Sequence, residues 1–244
     1  MDRTNFEWTP EFWQTWRESG NPYRRYKSER DRALALDFLQ LRSGDRVLEV
    51  GCGYGWISRA IWEAAGVEWY GVDRSPEMIR NLRASGFAHS RRSSVVDATE
   101  LPFRDGAFDK ILCTGVLMHI SRDFEALREM IRVLRPGGLL LCSFNNALSP
   151  FSIPVRLWNL RKKGFVQKFR QPDTIRRILR KSGIETSRAA GDGIFSTVPI
   201  SVAGLSFPPA WAFRKVQKVD ERAVKRFPWL AYEVWFSGRK SSQP

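Results

Sequence analysis

A glycine-rich loop in the first half of the chain has the composition of a nucleotide-binding turn. It reads Val47-Leu48-Glu49-Val50-Gly51-Cys52-Gly53-Tyr54-Gly55. Closely spaced glycines after a strand let the backbone approach a nucleotide where side chains would clash. Trp56 stands where a dinucleotide fingerprint has its third glycine, and the Gly-Lys-Ser/Thr of a phosphate-binding loop is absent. Glu49 is a poor neighbour for a pyrophosphate and a good one for a cationic ligand.

Two further carboxylates follow at the ends of the next two predicted strands. Asp73 could accept hydrogen bonds from both hydroxyls of a ribose, and Asp97 could accept one from an adenine amino group. A lone aspartate at a strand end is often only a turn or a helix cap. Three acids in order behind a glycine loop are harder to explain as separate caps, so the pattern favours a cofactor rim.

The elements that must position these groups alternate between strands and helices. Strands are predicted at residues 47–51, 69–73, 95–97, 108–114 and 139–144, and helices at 57–65, 75–84 and 123–134. Such alternation predicts a parallel sheet with helices on both faces.

Further elements are predicted on both sides of this core. They are helices at 10–18, 27–41 and 171–181, strands at 184–190 and 230–236, and two irregular insertions at 145–170 and 191–229. We expect one domain over 1–244. It would have an N-terminal helical cover (1–44), a cofactor-binding core (45–145), and acceptor-side insertions with the last strands (146–244).

The ordered motifs resemble those of class I S-adenosylmethionine-dependent methyltransferases, most closely the ubiquinone/menaquinone-biosynthesis-type (methyltransferase type 11) branch. Besides the glycine loop, the likeness rests on residues 71–78, 97–103, 108–109 and 132–138. It covers about residues 45–145. The resemblance implies an α/β, Rossmann-like sheet of seven mostly parallel strands, with helices on both faces and an antiparallel last strand.

The resemblance also implies a use for each site residue, with S-adenosylmethionine as the cofactor and no metal. The methionine and sulfonium portion would lie against Glu49, Gly51, Gly53 and Gly55, with Cys52 and Tyr54 at the variable positions of the loop. Asp73 would hold the ribose. The adenine would be flanked by Arg74 and Met78 and met at its edge by Asp97 and Ala98. The transferred methyl group would face Thr114, Gly115 and Val116.

Residues near the predicted transfer point bear on the acceptor. His119 follows the fourth strand and could act as a general base or only pack its loop. His89 lies in a basic loop and is expected to be solvated. No Asn-Pro-Pro-Tyr motif follows the fourth strand, and Cys113 is not followed by proline. Motifs of nucleobase methylation are therefore missing, and Cys113 is expected to be inert packing.

The remaining composition suggests an anionic partner. The net charge is +14, and residues 156–181 hold ten basic residues and one acid. Such a segment could meet an acidic acceptor, an anionic membrane or a nucleic acid, or be only a solvated face. Stretches 149–154 and 205–211 are apolar, and their prolines restrict the backbone, which suits the lining of a hydrophobic pocket.

We therefore expect methyl transfer to a small-molecule or lipid-like acceptor that is anionic. The alternatives are an RNA methyltransferase that uses the basic face and a non-catalytic binding subunit; a nicotinamide-dependent oxidoreductase is disfavoured by Trp56. No apolar run reaches membrane-spanning length, and the N-terminus lacks the apolar core of a signal peptide. Three cysteines give no disulfide framework. A cytoplasmic location is expected, with or without peripheral contact at the inner membrane surface. The sequence does not indicate the oligomeric state.

Overall fold

The computed structural model describes residues 22–150, 152–153, 156–157, 167–193 and 210–242. The helix predicted at 10–18 lies outside these residues. So do parts of both predicted insertions, including most of the stretch 205–211.

One sheet forms the centre of the molecule. Its strands are β1 (Arg46–Val50), β2 (Glu68–Asp73), β3 (Ser93–Val95), β4 (Phe108–Cys113), β5 (Leu134–Asn146), β6 (Phe169–Arg170), β7 (Ile184–Asp192) and β8 (Glu233–Lys240). The order is β3-β2-β1-β4-β5-β8-β7, and the short β6 pairs with β5. β8 is antiparallel to β5 and β7, and the other pairs are parallel. The predicted fold class is confirmed, with β6 as an added strand.

Helices cover both faces of this sheet. In the described residues they are α1 (Pro22–Leu39), α2 (Ser58–Ala65), α3 (Pro76–Ala84), α4 (Asp123–Val133), α5 (Pro172–Lys181) and α6 (Ala210–Arg226). Buried side chains of α1, α2 and α3 pack with Trp69, Leu141 and Trp235 on one face of the sheet. Those of α4 and α5 pack with the other face. None of the helices in the described residues is long and apolar enough to cross a bilayer.

Local signals set several of these boundaries. α3 begins as expected, because the Ser75 side chain accepts a hydrogen bond from the Met78 amide (3.3 Å) and Pro76 occupies the first turn. Asp73 pairs in register with Val95, so β3 ends where β2 ends. The prediction that Asp97 ends the third strand is therefore wrong, and Asp97 lies in the turn that follows.

Two other expectations need correction near the C-terminus. The insertion at 191–229 is not irregular throughout, because α6 occupies 17 of its residues. Its many charged residues hid a short apolar stripe, of which Val224 is buried. The last strand begins at Glu233 rather than at residue 230, because Pro228–Leu230 forms a separate 3₁₀ turn.

Candidate active site

The glycine loop leaves the end of β1 and folds across the end of β2. The amides of Gly51 and Cys52 both donate to the Val72 carbonyl oxygen, at 2.7 and 3.0 Å. Gly51 has a φ of +75°. A Cβ added at Gly51 would lie 2.2 Å from Cγ2 of Val116, in the loop after β4. Glycine is therefore required at position 51 by both its conformation and its close neighbour.

Glu49 lies buried beneath this loop, with a relative exposure of 5%. Its Oε2 accepts hydrogen bonds from the Ser58 hydroxyl (2.6 Å) and the Trp69 indole N–H (2.8 Å). These two donors fix the orientation of the carboxylate. A buried carboxylate held in this way can face a cationic group without rearranging.

Asp73 connects the end of β2 to the glycine loop. Its Oδ2 accepts a hydrogen bond from the Gly53 amide and its Oδ1 accepts one from the Ser75 amide, both at 2.9 Å. Burial raises the pKa of Asp73, against the opposing effect of the amides of Ser75, Gly53 and Arg74. Each oxygen keeps a further lone pair, so both hydroxyls of a ribose could still be accepted. Asp73 therefore fastens the loop, which corresponds to the turn-forming role that the sequence left as the simpler alternative, and the ribose role stays a prediction.

Asp97 is exposed at the same edge of the sheet, beyond β3. Its Oδ1 accepts from the amide and the hydroxyl of Thr99, at 2.9 and 2.7 Å. Partial burial acts to raise the pKa of Asp97, but the Thr99 hydrogen bonds and the nearby Arg74 and Arg122 outweigh it and hold the pKa below its usual value. A carboxylate that is ionised at neutral pH is therefore available as an acceptor for an amino group.

The flanking residues gather around these carboxylates. Met78 is buried, and its Sδ would lie 4.0 Å from a Cβ added at Gly53. Ala98 is buried beside Asp97, while Arg74 is exposed. Tyr54 is half-buried, and Cys52 is buried with a pKa that burial raises well above the ordinary value. Cys52 is therefore a packing residue of the loop.

The loop after β4 lies against the glycine loop, where Val116 approaches Gly51. Thr114 is half-buried and Gly115 is exposed, with a φ of +70°. The Gly115 amide donates to the Ser143 hydroxyl of β5 at 2.9 Å. No atom would lie within 4 Å of a Cβ added at Gly115, so this position faces open space. The structure thus brings the predicted methyl-facing residues beside the glycine loop.

His119 ends a 3₁₀ turn, Leu117–His119, and is half-buried. The amide of Lys168 donates to the Met118 carbonyl oxygen at 2.9 Å, which attaches the segment before β6 to this turn. Burial lowers the pKa of His119 to about 4. The imidazole is therefore neutral at neutral pH and can accept a proton, although a group with this pKa is a weak base.

The other sequence candidates outside the cofactor rim are packing residues. His89 is not solvated as predicted, because its ring lies 4.7 Å from that of Trp62 and it is half-buried. Cys113 is fully buried, and burial raises its pKa well above the ordinary value. A neutral, enclosed thiol has no nucleophilic role.

A buried ionic cluster at the same edge was missed from the sequence. Lys27 of α1 lies with its Nζ 2.8 Å from Asp192 and 2.9 Å from Glu233, and it also contacts Asp31. Carboxylate oxygens of these three acids lie within 4.8 Å of one another. The lysine ammonium holds them together, so the cluster attaches α1 to β7 and β8. Asp192 and Glu233 are far in sequence from Lys27 and Asp31, so no local pattern marks the cluster.

A polar group at the end of β5 was also missed. Asn145 Nδ2 and the Tyr232 hydroxyl both donate to Gln167 Oε1, at 3.2 and 2.9 Å. The pair Asn145-Asn146 ending an apolar strand was the available signal. This group lies between β5 and β8, beside the turn that carries His119.

Comparison with known proteins settles the family. Residues 48–142 match the family profile described as a methyltransferase domain. A 27-O-demethylrifamycin SV methyltransferase of Amycolatopsis mediterranei is 31% identical over 205 residues, which cover 80% of this chain and 71% of that protein. The chain belongs to the class I S-adenosylmethionine-dependent methyltransferase family. Which branch of this methyltransferase family it belongs to stays a prediction.

Other relatives of this methyltransferase chain match over shorter lengths. An uncharacterised methyltransferase of Mycolicibacterium gilvum is 39% identical over 107 residues, or 43% of this chain and 41% of that protein. The chain thus spans about two fifths of the length of that relative and of a similar Mycolicibacterium vanbaalenii protein.

Solved structures agree in fold. A putative methyltransferase in complex with the Trm112 activator of Haloferax volcanii aligns with a TM-score of 0.68 and 21% identity, over 93% of this chain and 96% of that chain. A Mesorhizobium loti S-adenosylmethionine-dependent methyltransferase aligns with a TM-score of 0.65 and 18% identity, over 87% and 98%.

Proposed function

We propose that this chain transfers the methyl group of S-adenosylmethionine to a small-molecule or lipid-like acceptor that carries negative charge. The observation that carries the proposal is the arrangement of Glu49, Asp73 and Asp97 around the glycine loop, with open space at Gly115 beside them. When bound, S-adenosylmethionine supplies an already activated methyl group on a sulfonium.

The residues present fit this cofactor. Glu49 is a carboxyl group of fixed orientation beneath the loop, which suits the amino group or the sulfonium of the methionine part. Asp73 and Asp97 accept hydrogen bonds and suit a ribose and an adenine amino group. Glu49 lies near the end of β1, Asp73 ends β2 and Asp97 comes just after β3, three adjacent strands, in the order in which the cofactor's parts would lie.

The chain's own contribution is mainly alignment. Holding donor and acceptor in reacting geometry contributes as much as about 7–11 kcal/mol, and a general base adds about 10²- to 10⁴-fold when the nucleophile is a hydroxyl. We propose that His119 accepts this proton, because its neutral imidazole lies in the turn after β4. Packing of the loop is the competing role of His119.

The acceptor is proposed from charge and from one relative. The rifamycin relative is named for a small-molecule acceptor. The net charge of +14 suits an anionic acceptor and peripheral contact with an anionic membrane. An acceptor of this kind would enter beside the turn Leu117–His119.

Calorimetric titration with S-adenosylmethionine tests the cofactor site. We expect wild type to bind, and Asp73→Ala to raise the Kd about 10- to 100-fold, because hydrogen bonds to a charged group are lost. Glu63→Gln, which changes an exposed acid of α2, is the matched control and should bind as wild type does. Absence of binding by wild type would refute the proposal.

Incubation with labelled S-adenosylmethionine and a cell extract then tests the acceptor. Label in a lipid or small-molecule fraction supports the proposal. Cofactor binding without label in any fraction would instead indicate the non-catalytic binding subunit.

RNA methylation is a second candidate, favoured by one observation. A groove of about 680 Å³ between α5 and β7 is lined by four arginines and two acids, namely Arg176, Arg177, Arg180, Arg188, Asp173 and Glu185. Guanidinium groups on two elements suit a phosphate backbone. Salt-sensitive RNA binding together with label in the RNA fraction would favour this candidate over the first.

A further inference from the structure

Large apolar side chains are exposed at the edge of the sheet where β5 ends and β8 begins. The exposed fractions are 49% for Leu148, 62% for Ile153, 57% for Leu157, 40% for Phe227 and 53% for Trp229. We call these five residues the apolar rim. Single exposed apolar side chains are common, whereas several of them in one region mark an interaction surface.

Hydrogen bonds around Asn146 bring two parts of the rim together. Its Oδ1 accepts from the Leu148 amide at 2.9 Å, and its Nδ2 donates to the Trp229 carbonyl oxygen at 2.7 Å. The rings of Phe227 and Trp229 pack edge to face, 5.5 Å apart. Because Asn146 ends β5, the rim lies at the same edge of the sheet as the glycine loop and the loop after β4.

Cations accompany these apolar groups. Arg156 lies next to Leu157 in the chain, and Lys225 and Arg226 precede Phe227; all three are exposed. The Arg226 guanidinium lies 5.6 Å from the centre of the Phe227 ring. Within the part of the chain that the structure describes, none of the three forms an ion pair. We call these three exposed cations the positive margin of the rim.

We propose that the apolar rim seats this edge of the molecule on a bilayer that contains anionic lipid. The proposal rests on the proposed function in one respect, since it gives a lipid-like acceptor a route from the bilayer to the site. Tryptophan and aliphatic side chains enter the bilayer interface, and basic residues beside them bind anionic headgroups.

Charge favours the bilayer over a second copy of the chain as the occupant. Two copies meeting through the rim would bring like charges together at its margin, which is unfavourable. An anionic surface complements the same charges. At about fivefold in affinity per basic residue, three cations make a measurable difference between neutral and anionic lipid.

Vesicle co-sedimentation of the full chain tests the proposal. Wild type should sediment with vesicles of phosphatidylcholine and phosphatidylglycerol, and much less with phosphatidylcholine alone. Leu148→Ser combined with Trp229→Ser should lower the partition coefficient about tenfold or more, because exposed apolar area is removed. Lys225→Gln combined with Arg226→Gln should remove most of the preference for anionic vesicles.

Matched controls sit elsewhere on the molecule. Val95 is 50% exposed on β3, which is the outermost strand on the side of the sheet away from β5 and β8. The variant Val95→Ser should sediment as wild type does. Arg177→Gln combined with Arg180→Gln removes the same charge from the groove beside α5 and should also have little effect.

Several results would overturn the proposal. These are wild type that does not sediment with anionic vesicles, rim variants that sediment as wild type does, and loss of binding in the groove variant alone. Light scattering that shows a dimer in wild type and a monomer in the rim variant would assign the rim to a second copy. Calorimetry with S-adenosylmethionine on the same samples reports on folding and on the proposed function separately, since the rim variants should keep cofactor affinity.

Discussion

At the scale of single residues, the candidate site is built by groups that hold the backbone as well as by groups that are proposed to face a ligand. Asp73 is the clearest case, since its two oxygens already accept amides of the glycine loop and of the turn before α3. Glu49 is fixed by Ser58 and Trp69 in the same way. Preorganised carboxylates of this kind bind a ligand without paying for their own ordering.

Gly51→Ala is expected to destabilise the protein by more than the strain of its backbone conformation. Gly44 has a similar φ, +80°, and nothing within 4 Å of an added Cβ, so Gly44→Ala reports the conformational strain alone, about 1–2 kcal/mol. Gly51→Ala adds the overlap with Val116. Chemical denaturation measures both free energies of unfolding.

Val116→Ala provides the internal check for this prediction. It removes both Cγ atoms near Gly51, so Gly51→Ala should cost less in that background than in wild type. Equal costs in the two backgrounds would show that the overlap is relieved elsewhere.

The lowered pKa of His119 predicts that the free energy of unfolding depends on pH. Its folded-state pKa, about 4, lies below the ordinary value, so the unfolded chain binds the proton more tightly. Its contribution is fully present above pH about 6.5 and is lost as the pH falls toward about 4. His119→Gln should therefore show a smaller loss of unfolding free energy on acidification.

Over the same pH range, Asp31 changes the free energy of unfolding in the opposite direction. Burial raises its pKa to about 7, with Lys27 opposing and Glu233 and Asp192 adding to the effect. Its contribution is present at low pH and is lost as the pH rises through about 7. Comparing His119→Gln in wild type and in an Asp31→Asn background separates the two. An unchanged pH profile on replacing His119 would contradict the prediction.

At the scale of elements, α1 connects the region of the glycine loop to strands β7 and β8. One part of it contacts the glycine loop, since the Trp56 indole N–H donates to the Ser28 carbonyl oxygen at 3.4 Å and Arg32 stacks 4.5 Å from the Trp56 ring. Lys27 attaches the same helix to β7 and β8. This helix was predicted from its apolar pattern, but its docking was not, because it depends on charges near the far end of the chain.

Lys27→Met is expected to destabilise the protein by about 3–5 kcal/mol, because it leaves Glu233 buried without its counter-charge and leaves Asp192 with Arg30 alone. Arg25→Met is the matched control on the same helix, since Arg25 pairs with Glu29 at the exposed surface and such pairs contribute about 0–1 kcal/mol. Thermal and chemical denaturation measure both. Similar losses of unfolding free energy in the two variants would show that the buried cluster stabilises the protein no more than an exposed ion pair does.

At the scale of the whole molecule, the charge balance of +14 is spread over many exposed arginines and lysines. Self-repulsion of this size destabilises the compact state. The groove beside α5 and the margin of the apolar rim are two places where this charge is concentrated. Buried pairs such as Lys27 with Asp192 are little affected by salt, whereas the exposed excess is screened.

The unfolding temperature should therefore rise as sodium chloride is increased from low to about physiological ionic strength, because the Debye length falls to about 8 Å. Differential scanning fluorimetry measures this. Sodium sulfate at matched ionic strength is compared in parallel, since a much larger effect would indicate anion exclusion or site binding. A falling unfolding temperature would mean that attractive surface pairs outweigh the repulsion.

The sequence by itself determined the family, the strand and helix alternation, and the set of residues around the glycine loop. These follow from local signals: glycines with a special conformation, acids at strand ends, and a serine cap before Pro76. Single-domain organisation over 1–244 and the individual ligand roles stay predictions.

Only the tertiary structure decided the rest, because those features join residues distant in the chain. The cluster around Lys27 links positions 27 and 233, and the apolar rim links Leu148 to Trp229 through Asn146. His89 is covered by Trp62, which its basic neighbours in the sequence did not indicate. Periodicity and spacing report on neighbours along the chain, whereas burial and charge pairing across the sheet depend on how strands β5, β8 and β7 lie side by side.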